Sequence, residues 1–332
     1  MTVISLPIID LHTYLGAKTS LKQKGETERA IDEACRHFGT FYLVNHGVPQ
    51  ELCDKVLACG HQFFRLPLER KCRHKVASMM RGYSHASNAF VKGHEVRFEY
   101  IAFRPPVNCY SNGMAPDMDS TRPEARLPTY PDALGEQNSW PNDEFRVVAD
   151  QYLHYMQQLN SRLTDAIATS LGVGDLSRAR MQDTVLSLTF NGYQALTEEE
   201  AEKGGINLPA HTDTGCITFL NQDSEAVSLH IQNRNGEWRG VRPVPGAFVV
   251  NIGSAFKQWT GGQYVDTVHR VVHRSAKPRV AVGVFVGPPF DAIVEPLPEF
   301  AAVDTSLTRS PPRTYGQFLL EQMGEYFASQ ER

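Results

Sequence analysis

Apolar positions recur at helical spacing in the first half of the chain and in short alternating runs in the second. From Thr27 to His37 they fall at Ala30, Ile31, Ala34 and Cys35, with Phe38 closing the run and Gly39 supplying a stop, which predicts a helix. Thr40–Val44 is β-rich and precedes a turn at Asn45-His46-Gly47. Pro49–Phe64 is again helical in pattern, with Leu52, Val56, Leu57, Phe63 and Phe64 on one side, and Leu66–Lys71 starts a further short piece. Arg81-Gly82-Tyr83 and Glu95–Ile101 alternate as a hairpin or edge strands would. Residues 108–142 are rich in Pro, Asn, Asp, Ser and Gly and predict a long irregular crossing.

Phe145–Leu171 carries the strongest helical stripe, through Val148, Tyr152, Tyr155, Met156, Leu159, Leu163, Ile167 and Leu171, ended by Gly172. Beyond Asp183 short strands take over. They are Val185–Phe190, Cys216–Leu220, Val227–Gln232, Trp238–Val241, Ala247–Ile252, Val268–Val271 and Arg279–Val286, while Glu198-Glu199-Glu200 looks like a solvated loop face. Many short strands with turns between them predict a closed or double-sheet β structure of barrel or jelly-roll type.

Composition narrows the function classes. A 41% hydrophobic share and 21% charged share describe a globular chain with a sizeable core. A net charge of −4 with no basic run gives no electrostatic reason to expect nucleic acid as partner. The six cysteines (Cys35, Cys53, Cys59, Cys72, Cys109 and Cys216) form no C-x-x-C pair, so reduced thiols in a cytoplasmic compartment are expected. No apolar run approaches membrane-spanning length, and the opening MTVISLPIIDLH lacks the pattern of a signal peptide.

The candidate chemistry lies between Pro209 and Gly287. His211 and Asp213 stand two apart, so on extended backbone an imidazole and a carboxylate point to one side. A third ligand from a later strand, His269, would complete one face of an octahedron and leave positions open. That suits Fe(II) binding a co-substrate and O₂, although a zinc hydrolase could use the same set. Arg279 lies beyond, and a buried guanidinium offers a planar fork for a carboxylate. His273 would share the face of His269 on a strand but sit roughly 13 Å further along, too far to join the same metal.

The run HTDTGCITFL, followed by GEWRGVRPVPGAFVVNIGSAFKQWTGGQYVDTVHRVVHRSAKPRVAVGVFVGP, resembles the Fe(II)/2-oxoglutarate-dependent dioxygenase superfamily in its isopenicillin N synthase-like branch. LPIIDL, FGTFYLVNHGVP, RGYSH and TYGQFL extend the resemblance over nearly the whole chain. It implies an α+β fold with a mainly β core, a distorted jelly roll (double-stranded β-helix) flanked by N-terminal and long central helices. Residues 1–332 would form a single catalytic unit, with an N-terminal region over 1–120 and the core over 180–300.

The resemblance further implies that His211, Asp213 and His269 bind Fe(II), that Arg279 anchors 2-oxoglutarate, and that Asn191 and Tyr193 match the N-x-Y pair contacting that co-substrate. Arg81, Tyr83, Arg97, Phe98, Tyr100 and Phe285 are expected to wall the substrate. The implied reaction is O₂-dependent oxidation of an unactivated C–H bond of a small organic molecule by hydroxylation, desaturation or ring closure, as in specialised metabolism. Two positions depart from the family pattern. Ala281 stands where R-x-S has a serine that shares the carboxylate, and Ser254 stands where many relatives carry Asp after N-x-G. The first leaves open an oxidase that uses no 2-oxoglutarate, with Arg279 holding the substrate's own carboxylate.

Overall fold

The computed structural model describes residues 2–16, 19–76, 81–91, 94–105, 137–203, 207–302 and 312–328, the backbone alone for 86–91, 94–97, 203, 320 and 323–328. Two sheets face each other, and helices cover the back of the larger one. In chain order the N-terminal part comprises β1 (Val3–Ile4), β2 (Ile8–Asp10), α1 (Leu21–His37), β3 (Thr40–Val44), α2 (Gln50–Phe64) and α3 (Leu68–Cys72). A hairpin follows, β4 (Gly82–Val91) and β5 (His94–Phe103), then α4 (Asp143–Leu171) and α5 (Asp175–Gln182). The remainder is mostly strands: β6 (Val185–Tyr193), α6 (Glu198–Lys203), β7 (Leu208–His211), β8 (Ile217–Gln222), β9 (Leu229–Gln232), β10 (Trp238–Val241), β11 (Phe248–Ile252), α7 (Ser254–Trp259), β12 (His269–Val271), β13 (Arg279–Gly287), β14 (Ile293–Val294), β15 (Arg313–Thr314) and α8 (Tyr315–Ala328).

The larger sheet runs β2-β3-β11-β8-β13-β6-β5-β4, and the smaller runs β1-β10-β9-β12-β7. The double-sheet core with flanking helices agrees with the fold expected from the sequence. Local chemistry explains the helix ends. Ser20 and Gln23 form a reciprocal capping box that starts α1 earlier than its apolar stripe suggests. Asn142 caps α4 by accepting from the Phe145 amide, and Gly172 closes it at φ 65°, a left-handed conformation that glycine adopts at little cost.

The stripe on α4 lies against the sheet and α1. Tyr152, Met156, Leu159, Leu163 and Ile167 share one core cluster with Ile31 and Cys35 of α1, Val56 and Phe63 of α2, and the back face of the sheet at Leu188, Phe190, Phe219, Val250, Val282 and Val284. Strands buried on both faces lose their polar alternation, which is why β6, β11 and β13 read as nearly continuous apolar runs. Their inner faces look toward the smaller sheet, and the site lies there.

Three details differ from the sequence reading. Glu198-Glu199-Glu200 opens the short helix α6 instead of a loop, with Thr197 Oγ1 accepting from the Glu200 amide. Asp175–Gln182 and Ser254–Trp259 are helices the apolar pattern did not show, because both are too short to display a stripe. Most of the expected 108–142 crossing, and Cys109 with it, lies outside the described residues. Among the described residues Cys35, Cys53, Cys59, Cys72 and Cys216 are free thiols. No helix among the described residues is long and apolar enough to cross a membrane.

One ion pair lies inside the core. Lys71 Nζ donates to Glu99 Oε2 at 2.6 Å, the Tyr83 hydroxyl donates to the same oxygen at 2.6 Å, and the two charged side chains are only 7% and 4% exposed. Burial, followed by the bond to this carboxylate, pushes the Tyr83 phenol well above its ordinary range. Removing one partner of such a pair leaves an uncompensated buried charge. Lys71→Met is therefore expected to destabilise the fold by about 3–5 kcal/mol, read by urea unfolding. Adding Glu99→Leu should recover most of that loss. A single variant as stable as the parent would show that the pair contributes nothing.

Candidate metal and carboxylate site

His211 is the last residue of β7 and His269 the first of β12, and the antiparallel register sets them opposite each other, ring centroids 4.3 Å apart. Asp213 follows His211 by two residues, just past the strand end, in the turn leading to β8. Its Oδ1 lies 3.9 Å from His211 Nε2 and 3.8 Å from His269 Nε2, and the three donor atoms lie within 4.8 Å of one another. Metal–ligand bonds to such atoms run about 2.0–2.2 Å, so the gap between them takes one ion.

The tautomers are set as a metal site requires. His211 Nδ1 lies 2.8 Å from the Pro209 carbonyl and His269 Nδ1 lies 3.1 Å from the Thr267 carbonyl. A carbonyl only accepts, so each Nδ1 carries the proton and each Nε2 keeps its lone pair facing the gap.

The carboxylate is held from behind. Asn251 Nδ2 approaches Asp213 Oδ2 at 3.4 Å, and the Thr40 hydroxyl donates to Asn251 Oδ1 at 2.8 Å. The Ser254 amide donates to the Asp213 carbonyl at 2.7 Å. Ser254 marks the second departure from the family pattern. Its hydroxyl donates to Asp266 Oδ2 at 2.8 Å and lies 3.1 Å from the Thr212 hydroxyl, while Lys257 holds the other Asp266 oxygen at 2.7 Å. Position 254 thus carries a hydroxyl bonded to the Asp266 carboxylate.

Arg279 begins β13 opposite Tyr193, the last residue of β6. Its side chain is 2% exposed, and its guanidinium lies 4.8 Å from the Tyr193 ring centroid. Nη2 donates to Gln222 Oε1 at 2.6 Å, whereas Nε and Nη1 are buried and make no hydrogen bond among the described residues, although the Tyr193 side chain interacts favourably with the guanidinium. Burial lowers the Arg279 pKa from its ordinary value and raises that of Tyr193. A buried cation with open donors is costly until an acceptor arrives, and a ligand carboxylate would meet that need.

The strand start is fixed on its outer side as well. Asp223 Oδ2 accepts from the Val280 amide at 2.7 Å and lies 2.9 Å from His61 Nε2. An apolar cluster of Tyr193, Val271 and Ala281, with Phe98, Leu208 and Leu220 against it, links the strand of Arg279 to the strands of the two histidines. Val271 and Leu208 come from the two strands that carry the histidines, so the cluster joins both ends of the site.

The remaining expected residues divide. Asn191 pairs with Ala281 on one side and Tyr100 on the other, on the same strand face as Tyr193. Phe98 stacks 6.3 Å from Tyr193 and 5.9 Å from Tyr100, so both hairpin aromatics belong to the site side. Phe285 lies half-buried on the Arg279 side of β13. Arg81 and Tyr83 do not join them. Tyr83 points to the helix-covered core, where it packs against Phe63 and bonds Glu99, while Arg81 donates to the carbonyls of Arg104 and Pro105 and to Asn138. Residues of a strand alternate faces, and this hairpin is apolar on both. Arg97 pairs opposite Ser87, and its side chain lies outside the described residues. His273 bonds Ser228 and the Lys277 carbonyl and stays away from the trio.

Residues 6–141 match the family described as the non-haem dioxygenase in morphine synthesis N-terminal region, and residues 186–288 match the 2OG-Fe(II) oxygenase superfamily. A homoarginine-6-hydroxylase of Oryza sativa subsp. japonica is 30% identical, covering 96% of each chain. One of Glycine max is 32% identical over 92% of this chain and 90% of its own. A Neurospora crassa crystal structure, solved with alpha-KG and thymine, superposes with a TM-score of 0.80 at 22% identity, covering 96% of both chains.

Gly253 fixes the turn that carries Asp213. A Cβ there would stand 2.1 Å from the Gly215 carbonyl oxygen and 3.0 Å from that of Asp213, backbone contacts with no flexible end to yield. Gly253→Ala should weaken Fe(II) binding by roughly 10- to 100-fold, the usual cost of disturbing a ligand's support. Anaerobic Fe(II) titration beside a melting curve checks this, and a folded variant with parental affinity would refute it.

Proposed function

Because the chain belongs to the 2OG-Fe(II) oxygenase superfamily, we propose that it hydroxylates an unactivated carbon of a small organic molecule, working as a single catalytic unit. The observation that carries this reading is the buried Arg279, two of whose donors make no hydrogen bond among the described residues, on a strand joined by an apolar cluster to the strands of the metal-ligating histidines. A dicarboxylate co-substrate would use both features, because one carboxylate can bind the metal while the other meets the guanidinium. Relatives named hydroxylases at 30% and 32% identity support hydroxylation as the outcome at carbon.

His211, Asp213 and His269 would hold Fe(II). Arg279 would hold the distal carboxylate of 2-oxoglutarate, with Asn191 and Tyr193 beside it. Together with O₂ these groups supply an oxidant able to take a hydrogen atom from an aliphatic carbon. The chain's own contribution is to bind and orient. The proton on each histidine Nδ1 leaves Nε2 as the atom that would donate to the metal. The apolar lining of Tyr193, Val271 and Ala281 excludes water around the co-substrate, which strengthens its electrostatic contacts. Phe98, Tyr100 and Phe285 would position the substrate, with Arg97 a further candidate from the same hairpin.

Anaerobic titration of the Fe(II)-loaded protein with 2-oxoglutarate should produce a saturable visible charge-transfer band. Arg279→Leu should still bind Fe(II) but weaken 2-oxoglutarate by roughly 30-fold or more, since losing a buried, hydrogen-bonded charge partner costs about 2–5 kcal/mol. Free homoarginine is the first compound to test for product gaining one oxygen with matching succinate. An iron-loaded parent chain that shows no band at any 2-oxoglutarate concentration would sink the proposal and leave Arg279 as an anchor for a substrate carboxylate.

A further inference from the structure

Ala281 leaves the carboxylate subsite without the hydroxyl that the family pattern provides, and the structure places another donor beside the gap. Gln222 ends β8, and its register partner on β13 is Ala281. Directly opposed side chains on one face of an antiparallel pair have Cβ atoms about 4.5–5.5 Å apart. A hydroxyl at position 281 would therefore stand next to the Gln222 carboxamide.

The orientation of that carboxamide follows from its partner. Gln222 Oε1 lies 2.6 Å from Arg279 Nη2. A guanidinium has donors only, so the oxygen must face Arg279 and the amide nitrogen must face away. That nitrogen makes no hydrogen bond among the described residues. On the same strand, Asn221 donates to the Cys53 carbonyl on the helix side, so alternation puts Gln222 on the site side. The subsite thus holds a buried cation fixed by an amide oxygen, with that amide's two N–H donors uncommitted among the described residues.

We infer that Gln222 replaces the missing serine, its carboxamide N–H donating to the distal carboxylate that Arg279 holds while its oxygen fixes the guanidinium. The inference rests on the oxygenase reading and deepens it. It predicts that positions 222 and 281 are alternative sources of one hydrogen bond, so that either suffices.

The test is 2-oxoglutarate affinity, measured anaerobically on the full chain from the charge-transfer band with Fe(II) and by calorimetry with Mn(II). Gln222→Met keeps the volume and removes the donors, and should raise the Kd by about tenfold, the factor expected for one hydrogen bond to a charged group. Adding Ala281→Ser to it should restore affinity to within about threefold of the parent, whereas Ala281→Ser alone should change little. Gln222→Glu keeps an acceptor for Arg279 and secures the fold should the methionine variant prove unstable. It too should bind at least about tenfold more weakly, having lost the donors and gained a repelling charge.

Affinity within about twofold of the parent in either Gln222 variant would overturn the inference. So would a loss in Gln222→Met that Ala281→Ser fails to rescue, since Gln222 would then serve only to position Arg279. A parent chain that binds no 2-oxoglutarate fails at the first titration and counts against the oxygenase reading itself.

Discussion

The register of β7 against β12 is the constraint on which the site depends. It places His211 opposite His269 at the point where both strands meet the turn carrying Asp213. A slip of one residue would turn an imidazole to the other face, because side-chain direction alternates along a strand. The pairing is irregular between His269 and Val271, so the ladder alone does not define it. Each histidine is also tied by Nδ1 to a carbonyl two residues before it, which sets the ring as well as the strand. Position and protonation state thus come from one local arrangement.

The larger sheet supplies the rigid half. β13 is paired on both edges, by β6 and β8, along most of its length, and its back face is packed under α2 and α4. Only a strand held this firmly can keep a guanidinium buried with open donors, since a looser one would let the side chain turn to water. Asp223 and His61 fix its first residues from outside while Gln222 fixes the side chain from inside. Burial disfavours the charged guanidinium, and a carboxylate held beside it would offset that cost.

What the sequence made legible follows from how local each signal is. His-x-Asp and the later His-Arg-Val are each short local patterns, and the structure brings the donor atoms of His211, Asp213 and His269 within 4.8 Å of one another. The long stripe of α4 was equally plain, because a helix of that length repeats its pattern many times. The hairpin was not. Tyr83 and Phe98 are both aromatic on alternating strands, and nothing local says which face meets the helices. Lys71 and Glu99 bury a charge pair on the Tyr83 side of the hairpin, a contact that no local pattern shows. Asp266 sits in a turn where an acid reads as solvated, and its role appears only when Ser254 and Lys257 are seen around it.

Motif departures are best judged by counting donors in space. Ala281 read alone removes a hydrogen bond and weakens the case for a dicarboxylate co-substrate. Seen across the sheet, the same position faces a carboxamide whose oxygen is committed to the arginine and whose nitrogen is not. Ser254 likewise stands beside a carboxylate from a residue twelve positions later. A linear pattern records which residue occupies a position, whereas a site needs a charge or a donor at a point in space, whichever strand brings it.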